Sequence, residues 1–174
     1  MRVYTVAPSN PTLDAFLEVL REHGVRQLAD VRRWPRSRRH PHFSDENLKA
    51  ALRKAGVEWR HFEALGGMRK PRAGSPNVGW ETEGFQGYAD YLSTDDFQGA
   101  LEELTAWAGE APTAVMCAEA RPSQCHRRLI ADALAVRDVA VIHVGAGGED
   151  GIHEVTSFAE VVEGELVYPF TLQG

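Results

Sequence analysis

Three features of the sequence predict a three-layer α/β domain with a mostly parallel central sheet. Short apolar runs alternate with amphipathic helical stretches along most of the chain. Turn and cap residues punctuate that alternation. The first two apolar runs are separated by a segment of helix length, as in a right-handed βαβ unit of parallel strands.

The first strand is Val3-Tyr4-Thr5-Val6, ended by Pro8-Ser9-Asn10-Pro11. Asn10 or Thr12 can cap a helix whose apolar positions Leu13, Phe16, Leu17 and Leu20 follow helical spacing. His23-Gly24 closes that helix, and residues 25–31 form a second strand. A loop with Pro35 and Pro41 runs from Arg32 to Phe43; Ser44 then caps a helix that stops at Gly56. Residues 57–62 alternate as a third strand, and the segment from Gly66 to Gly84 reads as loop. Helices are expected around residues 85–92 and 96–108. They lead to a strand at Thr113-Ala114-Val115-Met116, a helix through residues 129–134 and a last core strand at 139–144. One domain spans residues 1–174. Its acidic C-terminal segment, 145–174, is expected as a hairpin turning at Glu163-Gly164 or as a partly disordered tail.

The chain has no apolar stretch long enough to cross a bilayer and no signal-peptide core, so a cytoplasmic location without membrane association is expected. Two cysteines in such a setting are expected to be reduced, metal-bound or redox-active sooner than a structural bridge. The net charge of −6 conceals segregation. Residues 26–43 carry Arg26, Arg32, Arg33, Arg36, Arg38 and Arg39 against Asp30 alone, whereas residues 145–174 hold six acidic groups and neither Lys nor Arg. A basic loop on an acidic body suits a local anionic ligand and argues against indiscriminate coating of DNA.

The densest chemistry lies between Met116 and Arg128, where strand should pass to helix: Cys117, Glu119, Arg121, Cys125, His126, Arg127 and Arg128. A helix start favours negative charge, so Cys125, beside His126 and two arginines, is a candidate reactive thiolate. Cys117 is a second candidate, with a small core residue as the alternative. Asp30 and Glu119 follow strands with arginines nearby and are candidate orienting groups or bases. Arg32, Arg36, Arg38, Arg127 and Arg128 are candidate anion ligands, since guanidinium forks match phosphate and carboxylate. Trp34, Phe43, Trp59 and Trp80 could supply stacking surfaces for a base. A metal site built from Cys117, Cys125 and His126, with His42 or Glu119, is the weaker reading. The spacing lacks a Cys-x-x-Cys or His-x-x-x-His pair, and the flanking arginines repel cations.

Several motifs act as a set: Leu28-Ala29-Asp30-Val31-Arg32, Pro35-Arg36-Ser37-Arg38, Pro41-His42-Phe43-Ser44, Leu65-Gly66-Gly67, Tyr88-Ala89-Asp90-Tyr91, Met116-Cys117-Ala118-Glu119 and Cys125-His126-Arg127-Arg128. On these the chain resembles the bacterial and archaeal family called domain of unknown function 488. That resemblance implies a small α/β fold and carries no agreed activity. The family usually reads Gly-His-Ser after its first strand, whereas this chain has Ala7-Pro8-Ser9, so any chemistry needing that histidine is not carried over.

The functional expectation is a phosphate-bearing ligand, a nucleotide or nucleic acid, held in an Arg/Cys/His site of a thiol-dependent enzyme. The alternatives are a non-catalytic binding module for nucleic acid or protein with structural cysteines, and a Cys/His metal protein. No cofactor is specified by any motif.

Overall fold

A computed structural model describes residues 1–7, 12–34, 43–117, 125–145 and 150–170. In chain order the elements are β1 (Arg2–Val6), α1 (Leu13–Glu22), β2 (Gln27–Asp30), α2 (Asp45–Lys54), β3 (Glu58–His61), a 3-10 turn (Glu63–Leu65) and α3 (Glu83–Tyr91). There follow α4 (Asp95–Ala108), β4 (Thr113–Met116), α5 (Arg127–Ala135), β5 (Ala140–His143), β6 (Gly151–Ile152), β7 (Glu160–Val162) and β8 (Glu165–Val167). The expected mixed α/β architecture is present. The 3-10 turn and β6 are additions that periodicity did not signal, because each is too short to show one.

Local chemistry accounts for the helix ends. Thr12, Thr82 and Thr94 each accept a hydrogen bond from a first-turn backbone N–H, at Ala15, Phe85 and Phe97. Ser44 occupies the cap position of α2 in extended backbone but makes no side-chain capping bond. The chain leaves α1 and α2 through Gly24 and Gly56, both at positive φ.

The sheet runs β3-β2-β4-β1-β5-β6, parallel except for β6. Strands β2 and β4 are buried throughout, as central parallel strands must be when helices cover both faces. On one face Phe16, Leu20, Leu48 and Leu52 from α1 and α2 pack against Val6, Leu28, Ala114 and Met116. On the other, Leu101, Leu104, Trp107, Leu129 and Leu134 from α4 and α5 pack against Val3, Ala29, Val115 and Val141. Each buried Leu, Val, Phe or Met among them contributes roughly 1.5–3 kcal/mol by leaving water.

This order places β4 between β2 and β1, whose following helices cover one face while α5, which follows β4, covers the other. The connections therefore part at the carboxyl end of β4 and open a crevice there, the usual ligand position in a sheet of this kind. Cys117 is the first residue beyond that end.

The C-terminal segment is fastened to α5 by one carboxylate. Asp132 is fully buried and accepts hydrogen bonds from His153 Nε2 (2.7 Å), the Thr156 backbone N–H (3.0 Å) and the Tyr168 hydroxyl (2.8 Å). An ionised carboxylate only accepts, so His153 carries its proton on Nε2 and receives one at Nδ1 from His143 Nε2, 2.7 Å away. His143 Nδ1 in turn accepts from the Thr5 hydroxyl at 2.6 Å. Burial first, then the neighbouring His153 and the Arg127 charge, bring the His143 pKa down to about 4, with Asp132 opposing them. Burial also raises the Tyr168 hydroxyl, assisted by the adjacent Asp132 charge, so it stays a donor.

The His143 shift fixes a pH window. Below its ordinary value the unfolded chain takes a proton that the native protein refuses until about pH 4. Stability from this network is complete above roughly pH 6.5 and falls between there and pH 4. Replacing His143 by Gln is expected to flatten that acid limb by about 1–2 kcal/mol. Urea unfolding from pH 7 to pH 4 checks it; parallel acid limbs in both proteins would count against the neutral His143.

Candidate thiol site at the carboxyl edge of the sheet

Cys117 leaves β4 buried in the crevice, and Cys125 arrives just ahead of α5, 5% exposed. Their sulfur atoms lie 2.7 Å apart, with Cys125 as hydrogen-bond donor in this geometry. His126 Nδ1 lies 3.6 Å from Cys125 Sγ, and the Arg127 backbone N–H points at the same sulfur from 3.4 Å. These groups hold the Cys125 pKa down at about 5: first the hydrogen bond with Cys117, then His126 and the Arg127 N–H, against the opposing effect of burial. Ionised, the Cys125 sulfur becomes the acceptor, and the Cys117 thiol donates to it. Its position before the first turn of α5 adds the positive end of the helix dipole.

His126 is oriented by backbone. Its Nε2 is 3.1 Å from the Val31 carbonyl, which can only accept, so the proton sits on Nε2 and Nδ1 faces the thiol. The next residue, Arg127, is almost wholly buried and donates from Nη1 to the Val6 carbonyl at 2.6 Å. The start of α5 is thus tied to the exits of both strands that flank β4.

Asp30 and Arg32 form a closed pair beside this arrangement. The Asp30 carboxylate, fully buried, accepts Arg32 Nε (2.9 Å) and Nη2 (2.7 Å), the Arg32 backbone N–H (3.1 Å) and Trp59 Nε1 (3.2 Å). Arg32 Nη1 donates to the Phe43 carbonyl at 2.7 Å, and His61 Nε2 donates to the Arg32 carbonyl at 2.6 Å. Both residues sit at the same sheet edge as the thiols. Their observed work is to fix the backbone around Val31 and so aim the carbonyl that orients His126. Arg128 donates from Nε to Thr156 and lies over the Trp80 ring at 5.0 Å. Arg36, Arg38 and Glu119 lie outside the described residues.

Gly66 and Gly67 have steric reasons to be glycine. A Cβ on Gly66 would come within 2.7 Å of the Arg33 Cα, and one on Gly67 within 3.1 Å of His126 Nδ1. Arg33 Nη1 donates to the Gly67 and Met68 carbonyls, and the Tyr88 hydroxyl donates to the Leu65 carbonyl, holding this loop against the imidazole. Beside it opens a cavity of about 250 Å³ lined by Gly67, Met68, Thr82, Phe85, Tyr88 and His126. His126 therefore faces the cavity while its Nδ1 faces Cys125. The loop's far end is pinned by Asp90, which accepts from the Arg72 N–H, the Ser75 hydroxyl and the Asn77 amide.

Sequence reasoning brought Cys117, Cys125 and His126 forward and missed the Val31 carbonyl, Tyr88 and Asp132. A backbone carbonyl leaves no side-chain signature. Asp132 did leave one: a carboxylate inside the apolar run Leu129-Ile130-Ala131-Asp132-Ala133-Leu134 must be buried with partners. Among the described residues no three His, Cys, Asp or Glu side chains are arranged to hold a metal, and no helix is long and apolar enough to cross a membrane.

A parallel α/β sheet with a thiol and an imidazole at its switch point defines the class of scaffold. Residues 12–134 match the family described as Domain of unknown function DUF488, and the chain belongs to that family. No curated protein and no solved structure matches the chain.

The thiol assignment has a direct readout. The ultraviolet absorbance of a thiolate, followed against pH, is expected to appear with a midpoint near 5 and to be lost in Cys125→Ser. In Cys117→Ala the midpoint should rise by about one unit or more, since the largest lowering cause is gone. A midpoint above 8 in the unmodified protein would remove Cys125 from consideration as a nucleophile.

Proposed function

We propose that this protein is a thiol-dependent enzyme acting on a phosphate-bearing substrate, with Cys125 as nucleophile. The observation that carries the reading is the Cys125 sulfur, held at once by Cys117, His126 and the Arg127 N–H beside a cavity that His126 lines. A nucleophile, a base within reach and a third group orienting the base are the parts covalent catalysis needs. Cys125 thiolate bonds to the electrophilic centre of the substrate, and His126 takes the thiol proton on Nδ1 and returns it to the leaving group.

Charge supports an anionic substrate. Arg33 borders the cavity through the Gly67 and Met68 carbonyls, Arg69 lies 3.9 Å over the ring of Tyr91, and Arg128 lies over Trp80, which stacks on the cavity residue Phe85. Among the described residues, those lining the cavity include no carboxylate. Phe85 and Tyr88 offer faces against which a base can rest. In this reading Arg36 and Arg38 join as anion ligands, Asp30 and Arg32 position the Val31 carbonyl, and Glu119 serves as a base or orienting group. Arg127 and Arg128 stabilise developing negative charge near the start of α5.

A second reading, a nucleic-acid or protein binding module with structural cysteines, draws on the near-complete burial of Cys117 and Cys125. One experiment separates the two. Binding of nucleoside monophosphates and turnover of nucleotide and aryl phosphate esters are measured for the unmodified protein and for Cys125→Ser. The enzyme reading expects turnover to fall by about 10³-fold or more in the variant with affinity within a few-fold. Salt-sensitive binding without turnover, unchanged in a variant lacking both thiols, would instead establish the binding module.

A further inference from the structure

We propose that Cys117 and Cys125 form a two-thiol redox centre that reduces hydroperoxides, with Cys125 the attacking and Cys117 the resolving sulfur. The inference rests on the thiolate reading of Cys125 and goes beyond it by giving Cys117 a chemical task. Four observations meet at this pair. The sulfurs are 2.7 Å apart, against about 2.05 Å in a disulfide, so bond formation requires side-chain movement of less than an ångström. Neither is engaged in a disulfide in this structure. They lie eight positions apart, at the exit of β4 and the lead-in to α5, so their close approach depends on how α5 docks on the sheet. His126 stands beside Cys125 and not merely next to it in the chain.

At 5% exposure the Cys125 sulfur excludes the bulk of another folded protein and leaves access to a small reacting group. A hydroperoxide meets that limit, where a protein disulfide does not. The steps balance. Cys125 thiolate attacks the terminal peroxide oxygen, the O–O bond breaks, and Cys125 becomes a sulfenic acid as an alkoxide or hydroxide leaves. The proton on His126 Nδ1 passes to that leaving oxygen, giving an alcohol or water. Cys117 sulfur then attacks the sulfenic sulfur, and its thiol proton departs with the hydroxyl as a second molecule of product water. Two equivalents of a low-molecular-weight thiol return both cysteines to the reduced state and end as their own disulfide. Cys117 thus acts twice, first as the hydrogen-bond donor that keeps Cys125 ionised, then as the group that captures its oxidised form.

The test treats the reduced full-length chain with stoichiometric hydrogen peroxide, blocks remaining thiols and maps peptides without reduction. The expected product is a Cys117–Cys125 linked peptide, with both thiols lost together. In Cys117→Ala, Cys125 should persist as a sulfenic acid that a 1,3-dicarbonyl reagent captures. In His126→Ala, oxidation at neutral pH should slow roughly ten-fold or more. Because the linked peptide is read in the unmodified protein, the outcome does not depend on any variant folding. Cys125 captured as sulfenic acid while Cys117 stays reduced, or survival of both thiols, overturns the proposal. If thiolate absorbance persists near pH 7 while no linked peptide forms, the redox inference falls and the nucleophile reading stands. Loss of that absorbance takes both. A linked peptide with phosphate-ester turnover unaffected by Cys125→Ser removes only the phosphate reading.

Discussion

The start of α5 is tied to two strand exits at once, and the site depends on that tie. His126 donates to the Val31 carbonyl and Arg127 to the Val6 carbonyl, the ends of the two strands that flank β4. A buried carbonyl without a donor is costly, and these two side chains supply donors to both carbonyls at the strand exits. Satisfying them with side chains of consecutive residues fixes the rotation and depth of the helix. Once it is fixed, the Arg127 N–H must point at Cys125 and the imidazole must stand beside the same sulfur. The arrangement of donors around the Cys125 sulfur is a consequence of how the crevice is closed.

That closure is reinforced from both sides. On the β2 side, Asp30 and Arg32 neutralise each other in a bidentate pair, with Trp59 and the Phe43 carbonyl completing their hydrogen bonds. A buried ion pair gains little net energy but forfeits a great deal if one partner is removed, which makes it a strict positional lock. On the β5 side, Asp132 gathers His153, Thr156 and Tyr168 and, through His143, reaches Thr5 of β1. The direction of every proton in that chain follows from one ionised carboxylate. The C-terminal segment thereby becomes part of the support for α5.

The cavity shows how absent atoms shape a site. The loop after the 3-10 turn lies so close that a side chain at position 66 would collide with Arg33 and one at position 67 would crowd the His126 ring. Met68 takes a positive φ immediately afterwards, held by Arg33 through its carbonyl. The imidazole is consequently gripped between Val31, Gly67 and the Tyr88 ring, 5.0 Å away between centroids. Aromatic residues form one wall and arginines stand at the margin, a combination suited to a flat ligand carrying negative charge.

Much of this was legible in the chain. Alternation of period two and period 3.6 located the long elements, because burial of one face dictates those periods. Thr12, Gly24 and Gly56 marked helix ends for steric and hydrogen-bonding reasons that act locally. The concentration of thiol, imidazole and guanidinium groups between residues 116 and 128 pointed to the candidate site. Strand order was not legible, since hydrophobic pattern does not say which strand lies beside which, and insertion of β4 between β2 and β1 creates the crevice. Nor could sequence separate arginines that pair internally, such as Arg32, from those that face a ligand, because that depends on what lies opposite each guanidinium. The sequence by itself determined the elements, their caps and the residues able to do chemistry, through forces acting within a few residues. Only tertiary structure decided which carbonyl aims the imidazole and how closely the two sulfurs approach, because the first contact joins residues 95 positions apart and the second depends on where α5 docks on the sheet.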